Sequence, residues 1–148
     1  MAESAHYFKF EVVSPERVVL KTTARQVSIP TTEGEITILP LHVPLVSLLA
    51  SGVIEVVLEN GERDIMAVSG GLLEVLADKV VVLADSAERA EELDDTVIAE
   101  AHKRAETLKE QARNQDDVEF ARLSALIERE TARSHALKRW KNININNK

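Results

Sequence analysis

The stretch VVVLADSAERAEELDDTVIAEAHKRAETLK, Val80 to Lys109, contains the change of pattern that decides the fold. It opens with consecutive aliphatic residues that end at Asp85, and such a run is typical of a buried strand. After Asp85, Ala, Glu, Arg and Leu dominate and Gly and Pro are absent, which favours helices. The sequence therefore predicts a β domain followed by a helical domain.

Short strands separated by turns are predicted before the helical region. In HYFKFEVV, Phe8, Phe10 and Val12 alternate with charged residues, as in a half-buried strand. Asn60-Gly61 predicts a hairpin, because a type I′ turn needs positive φ at both central residues. About nine such strands without intervening helices indicate a β-sandwich or a barrel.

Two antiparallel helices are predicted after the strands, at residues 91–112 and 117–140. Asp116 is a good N-cap for the second helix, and Glu119 can complete a capping box. Alanines at helical spacing predict a small-residue stripe on each helix that lets the two backbones approach closely. They are Ala101, Ala105 and Ala112 in the first helix and Ala121, Ala125, Ala132 and Ala136 in the second.

The predicted hairpin is expected to be marginally stable, because alanine buries little apolar area against the entropy lost when the backbone is ordered. Its first helix is mainly acidic and its second mainly basic. A weakly docked basic helix could leave its acidic partner for another acidic surface. The alternative is a static appendage with solvated faces. The Asn-rich residues 142–148 are expected to be disordered.

Composition and motifs exclude several classes of function. The net charge of −7 argues against a nucleic-acid partner, and the absence of cysteine excludes disulfides and thiolate sites. No run of about 18 apolar residues predicts a membrane span, and no signal peptide is expected. AVSGG at residues 67–71 is not a nucleophile elbow, and neither a Walker loop nor G-x-G-x-x-G occurs. The sequence therefore predicts a protein that is not an enzyme in its own right.

The four histidines are far apart in sequence, and no metal site is predicted from them. A hairpin that turns near residue 114 brings His102 opposite the region of Glu128 rather than His135. His42 stands between Pro40 and Pro44. It is either a contact residue on a docking surface or a residue that caps a proline-shaped turn.

Three segments together carry a family resemblance: GEITILPLHVPL (34–45), VSGGLLEV (68–75) and VVVLADSAERAEELD (80–94). In order and spacing they resemble the epsilon subunit of bacterial and chloroplast F-type rotary ATP synthase. The similarity extends from about Phe8 to Trp140. We therefore expect an α+β fold in which an antiparallel β-sandwich (1–87) precedes an antiparallel two-helix hairpin (88–141) and a disordered tail (142–148). The alternative is a free-standing β-sandwich binding module whose hairpin mediates oligomerisation.

The resemblance implies a non-catalytic subunit of the central rotor stalk, without cofactor or metal. In such proteins the sandwich grips the gamma subunit and rests on the polar loops of the membrane c-ring. The hairpin either lies on the sandwich or extends along gamma towards the catalytic alpha and beta subunits and inhibits ATP hydrolysis. The implied location is peripheral, on the cytoplasmic face of the bacterial plasma membrane rather than on a thylakoid.

Two groups of contact residues follow from the resemblance. The loop at the base of the stalk supplies Glu35, Pro40, His42 and Pro44 as contacts to gamma and the c-ring. The second helix supplies Arg122, Arg129, Arg133, Lys138 and Arg139 as contacts to the catalytic head. Because the family usually has glycine at the positions of Thr37 and Leu41, the loop is expected to be stiffer here.

The ATP-binding motif of some bacterial members, Ile/Leu-Asp-x-x-Arg-Ala, falls on residues 93–98 and includes Asp94. Its arginine is replaced by Val97. Arg129 and Arg133 correspond to two further arginines, across an apparent two-residue insertion. Since valine cannot donate charge-assisted hydrogen bonds to a phosphate, we expect no regulatory binding of ATP in the micromolar range.

Overall fold

The computed structural model describes residues 6–114 and 116–147, with the side chain of Asn114 left out. The described residues form seven strands that are followed by two helices. The strands are β1 (Phe8–Val13), β2 (Val18–Thr31), β3 (Gly34–Ile38), β4 (Leu45–Leu48), β5 (Gly52–Leu58), β6 (Arg63–Val75) and β7 (Lys79–Arg89). The helices are α1 (Asp95–Gln111) and α2 (Asp117–Asn146), and short 3-10 turns precede and follow α1 at Ala90–Glu92 and Ala112–Asn114.

The strands form a sandwich in the order β1-β7-β6-β5-β2-β3, with β4 paired to β6 and β1 paired also to β2. Only the β1–β7 pair is parallel among the described strands. The core between the layers consists almost entirely of aliphatic residues with two phenylalanines, Phe8 and Phe10. The predicted sandwich followed by a helical hairpin is confirmed.

The expectation of about nine strands was wrong, because β2 and β6 each contain two of the predicted segments. In β6, Gly70 and Gly71 have φ of 63° and 121°. They bend the strand, but its pairing with β7 continues from Ser69 to Gly71. Only glycine fits the second position, since an added Cβ would lie 2.1 Å from the carbonyl oxygen of Leu83. The bend lets one strand serve both layers.

The Asn60-Gly61 hairpin connects β5 and β6 as predicted, but its turn is not type I′. Gly61 has a φ of 87°, but the φ of Asn60 is not positive, since Leu41 is the one non-glycine residue with positive φ in the described chain. The Leu58 carbonyl accepts from Gly61 N–H at 3.0 Å, and Leu58 N–H donates to Glu62 O at 2.8 Å. One residue with positive φ is enough for this longer loop.

The junction between the two domains lies later than predicted. β7 continues to Arg89, past the expected boundary at residue 87, and α1 begins only at Asp95. Arg89 is held in the strand by pairing with Met66 and by an ion pair at 2.8 Å with the nearly buried carboxylate of Asp64. A partner for that carboxylate explains the two additional strand residues.

α2 is longer than predicted, and the expected disorder of residues 142–148 was wrong for those up to Asn146. Trp140 and Ile143 pack against a small apolar cluster on the sandwich that includes Ile65 and Ala90. Burial of these side chains extends the helix beyond the point where local composition predicted its end. Lys148 lies outside the described residues.

The alanine stripe of α2 was expected to lie against α1 along its length. The structure does not have this arrangement. Ala132 and Ala136 are buried against Ile65 and Ala67 of β6, whereas Ala121 and Ala125 are exposed. Ala105 and Ala112 of the first-helix stripe are buried. The small side chains of α2 therefore allow a close approach of the helix to the sheet, and the hairpin is docked on the sandwich.

The N-terminus of α2 is capped as predicted, but without the capping box. The Asp116 carboxylate accepts from the backbone N–H of Val118 at 3.2 Å. Glu119 instead pairs with Arg122 one turn later, at 2.9 Å. An exposed arginine at this spacing competes for the glutamate side chain.

Candidate functional site

The loop between β3 and β4 presents apolar side chains to solvent. Leu39, Leu41 and Val43 are all exposed, Leu41 to 74 %. His42 lies between the last two, and its Nδ1 is 2.7 Å from the carbonyl oxygen of Val43, to which it donates. Its backbone N–H donates to Leu39 O at 3.2 Å, which closes the turn. His42 thus shapes the turn, while its neighbours project outward.

Leu41 adopts a left-handed backbone conformation, with a φ of 64°. This conformation is unfavourable for a residue with a Cβ atom by about 1–2 kcal/mol. The side chain is exposed and gains nothing from burial within the chain. Strained, exposed residues of this kind are found where a loop makes functional contacts.

The other predicted loop contacts lie close in sequence but differ in exposure. Glu35 is exposed on β3 and Pro44 is exposed just before β4, whereas Pro40 is half-buried. Their backbone positions bracket the exposed turn at Leu41. The structure therefore places Pro40, His42 and Pro44 in the exposed loop after β3, whereas Glu35 lies at the other end of that strand, beside the β2–β3 turn.

An apolar row, which sequence analysis missed, crosses the outer side of the sandwich. Its members are direct cross-strand neighbours on five strands. They are Leu48, Leu72, Leu83, Val13 and Val18. Four of them, all except Val13, are between 36 % and 60 % exposed. Contiguous apolar side chains on a surface indicate an interaction site.

A signal for this apolar row exists in the sequence. VVVL at residues 80–83 and LL at 72–73 are continuous apolar runs rather than alternating ones. Such runs indicate strands that are covered on both faces. One face is covered by the sandwich core, since Leu73 and Val82 are fully buried. The other face is the apolar row.

Arg133 connects the helical hairpin to the sandwich. Its Nη2 donates to Glu88 Oε1 at 2.6 Å, its Nε donates to the second oxygen of the same carboxylate, and its Nη1 donates to Glu130 at 2.8 Å. Burial favours the neutral form of the guanidinium, but the hydrogen bonds and charge of Glu88 outweigh this and hold the pKa of Arg133 above its usual value. This predicted contact to the catalytic head is therefore occupied within the chain.

The remaining basic residues predicted as head contacts do not form one surface. Arg122 is exposed near the start of α2, and Arg139 approaches Glu55 of β5 at 3.4 Å near its end. Lys138 is exposed, and Arg129 is half-buried. The docked hairpin thus presents Arg122 and Lys138 to solvent, while Arg133 and Arg139 pair with acidic residues of the sandwich.

The residues of the nucleotide motif are used for helix structure. Asp94 caps α1 and accepts from the backbone N–H groups of Thr96 at 2.8 Å and Val97 at 3.2 Å. Val97 itself is 62 % exposed. Arg133, expected to assist here, is engaged by Glu88.

His102 faces the region of Glu128 rather than His135, as expected: its Nε2 is 3.3 Å from Thr131 Oγ1, about one helical turn beyond Glu128 along α2. Within residues 6–114 and 116–147, no three His, Cys, Asp or Glu side chains are grouped so that they could hold a metal ion. No helix in the described part of the chain is long and apolar enough to cross a membrane.

Comparison with known proteins assigns this architecture to a family. Residues 7–90, more than half of the chain, match the family described as ATP synthase, Delta/Epsilon chain, beta-sandwich domain. The chain belongs to this family. Its matched region coincides with the sandwich, up to and including the residue that follows β7.

Relatives extend the match into the hairpin. The ATP synthase epsilon chain of Herpetosiphon aurantiacus is 39 % identical over 134 residues, which cover 90 % of this chain and 96 % of the relative. The epsilon chain of Acinetobacter baumannii (strain AYE) is 46 % identical over 109 residues, 74 % and 77 % of the two chains.

A solved structure has the same fold. One chain in the cryo-EM structure of the Euglena gracilis mitochondrial ATP synthase, described as OSCP/F1/c-ring, matches with a TM-score of 0.77 at 25 % identity. The match covers 89 % of this chain and 82 % of that chain. The predicted family and function as a central-stalk subunit of the ATP synthase are confirmed against the alternative of a free-standing binding module.

Proposed function

We propose that the sandwich holds the gamma subunit and rests on the c-ring, while the hairpin regulates ATP hydrolysis by the catalytic alpha and beta subunits. The observation that carries the first part is the uncovered apolar row. α2 covers the outer side of β5 and of the first half of β6. The second half of β6, with β4, β7 and β1, leaves its apolar side chains in water. An exposed apolar face of this kind is typically buried by a protein partner.

Gamma is proposed as the partner of the apolar row because a rotor subunit must be held firmly while torque is transmitted. Apolar contact provides affinity that salt does not screen, unlike exposed ion pairs. Glu74 and Glu11 lie in the adjacent cross-strand row, which would give the contact a polar edge. The chain has no active site of its own in this proposal.

The strained loop is proposed to contact the c-ring. Leu41 and Val43 would make apolar contacts there, with Pro40 and Pro44 at their sides, while His42 maintains the turn. The strain at Leu41 supports this role, because a residue held in an unfavourable conformation without burial gains a partner on docking. The chain would then be peripheral, on the cytoplasmic face of the bacterial membrane.

A binding experiment tests the apolar row. Leu72→Glu and Leu83→Glu place two negative charges at its centre, and we expect the affinity for purified gamma to fall by about tenfold or more, since a charge would be buried without a partner. Val118→Glu is the matched control, because Val118 is an exposed aliphatic residue on α2.

The affinity of each variant for surface-immobilised gamma is measured at two salt concentrations. If the two leucine variants bind as tightly as Val118→Glu, gamma docks elsewhere. If the two glutamate substitutions weaken binding only at low salt, they act by charge repulsion that salt screens rather than by disrupting an apolar contact, and the proposal for the apolar row is wrong.

A further inference from the structure

The ion cluster of Arg133, Glu88 and Glu130 is the one mostly buried polar contact between α2 and the sandwich among the described residues. We propose that this cluster is the latch that holds the hairpin down, so that its state sets the fraction of molecules with a released hairpin. The consequence for hydrolysis rests on the proposed inhibitory function. The latch itself is a property of the isolated chain.

The position of the pair fits a latch. Glu88 lies at the end of β7, one residue before the strand ends, and Arg133 lies midway along α2. They are 45 residues apart in sequence, so their contact exists only when the hairpin is docked. Both carboxylate oxygens of Glu88 accept from Arg133, and the two side chains are only 31 % and 15 % exposed. A bidentate pair of arginine and carboxylate has a fixed geometry and is stronger than a pair joined by a single hydrogen bond.

The other ion pairs that join α2 to distant segments of the described chain are more exposed. Arg139–Glu55 and Lys141–Asp95 are ion pairs whose basic side chains are nearly half exposed, and such pairs contribute little. Ala132 and Ala136 bury small side chains on β6, and Trp140 and Ile143 add partly buried apolar contact. Since the apolar seam is small, the mostly buried charge pair can decide whether the hairpin stays docked.

The docked state also contains an opposing feature. Glu130 is only 3 % exposed, and one of its oxygens is used by Arg133. Its other oxygen, Oε2, and the Nε of Arg129 are buried without a hydrogen-bond partner within the described residues. Release of the hairpin returns these atoms to water, which favours the released state. The pair with Glu88 therefore opposes a built-in tendency to open.

Glu88→Gln is the sharpest test, because Glu88 lies on the sandwich and its replacement leaves every charge of α2 in place. Replacement of Arg133 alone would remove the latch and a proposed head contact together. Glu91→Gln is the matched control: it neutralises an acid three residues further on, whose carboxylate pairs with Arg89 rather than with α2.

The readouts use the full-length chain. Trp140 is the only tryptophan in the sequence and packs at the docked interface, so its emission shifts to longer wavelength on release. Trypsin cleavage within α2 should accelerate by about tenfold or more in Glu88→Gln, because removing one partner leaves the other charge buried without compensation. If Glu88→Gln has the same emission and cleavage rate as Glu91→Gln, the latch is wrong.

A double-mutant cycle covers the case in which Glu88→Gln perturbs the sandwich. Arg133→Gln and the double variant are measured beside it, with far-UV circular dichroism to verify folding. A latch predicts that the double variant is released no further than Arg133→Gln. Fully additive effects would mean that the two residues do not act as a pair and would overturn the proposal.

In the assembled ATP synthase, Glu88→Gln should lower ATP hydrolysis relative to Glu91→Gln, and removal of residues 117–148 should abolish that difference. The two proposals can fail separately. If removal of α2 leaves hydrolysis of the native complex unchanged, inhibition by the hairpin is wrong, and the emission of Trp140 still decides the latch. If hydrolysis responds to removal of α2 but Trp140 does not respond to Glu88→Gln, the latch alone is wrong.

Discussion

At the scale of single residues, Leu41 combines a strained backbone with an exposed side chain. Its φ of 64° belongs to the region that favours glycine, and the family resemblance implies glycine at this position. Leucine is thus unfavourable for the backbone conformation at this position, and its side chain is not buried within the chain. The expected stiffness of the loop therefore takes the form of local strain at one residue.

Leu41→Gly should raise the free energy of unfolding by about 0.5–1 kcal/mol. Relief of the left-handed conformation returns about 1–2 kcal/mol, from which the greater entropy of glycine in the unfolded chain subtracts about 0.5–1 kcal/mol. Chemical denaturation measures the change. Val43→Gly, at an exposed neighbour whose φ is not positive, is the control and should be destabilising. Equal destabilisation by both substitutions would contradict strain at Leu41.

At the scale of elements, α2 has two kinds of neighbour. Its N-terminal part pairs with α1 and its C-terminal part packs on the sandwich, so it can be released only if both the cluster around Arg133 and the seam at Ala132 and Ala136 separate. Several contacts along the helix hold it in the docked state, and the Arg133–Glu88 pair is the mostly buried polar one among them. Regulation by this element can therefore be tested by its removal.

Deletion of residues 117–148 should raise steady-state ATP hydrolysis by the assembled complex and leave assembly intact. The reason is that the proposed inhibitory helix is lost, while the apolar row and the loop at Leu41 remain. Hydrolysis is compared in complexes with matched subunit content. Unchanged hydrolysis would mean that the hairpin is not inhibitory, and loss of assembly would mean that α2 is structural.

The start of α1 should not support tight ATP binding. Asp94 is committed to the helix cap, Val97 cannot donate to a phosphate, and Arg133 is engaged by Glu88. Titration calorimetry should therefore show ATP binding weaker than millimolar. A value in the micromolar range would contradict this expectation and would indicate a site elsewhere.

At the scale of the whole molecule, the sandwich has a core of its own. Its large buried cluster contains residues of the sandwich alone, whereas the hairpin covers a second, smaller cluster around Ile65 and Ala67. Removal of the hairpin exposes that smaller cluster but leaves the main core closed. The two domains are therefore expected to differ in their ability to fold alone.

A fragment of residues 1–92 should fold and melt cooperatively, and a fragment of residues 1–87 should be less stable by about 1–3 kcal/mol. The shorter fragment lacks Arg89, so the nearly buried carboxylate of Asp64 loses its partner. Thermal melts followed by circular dichroism compare the two. An unfolded longer fragment would mean that the hairpin belongs to the core, and equal stability would mean that the Asp64–Arg89 pair contributes nothing.

The sequence by itself determined the order of the two domains, the aliphatic core, the cap at Asp116 and the family. These features follow from side-chain periodicity and from interactions between residues a few positions apart, and both can be recognised in the sequence. The apolar row, the docking of Ala132 and Ala136, the continuation of α2 and the Arg133–Glu88 pair were decided only by the tertiary structure. Each depends on which distant segments are brought together and in which register, and local preferences do not encode a contact across 45 residues.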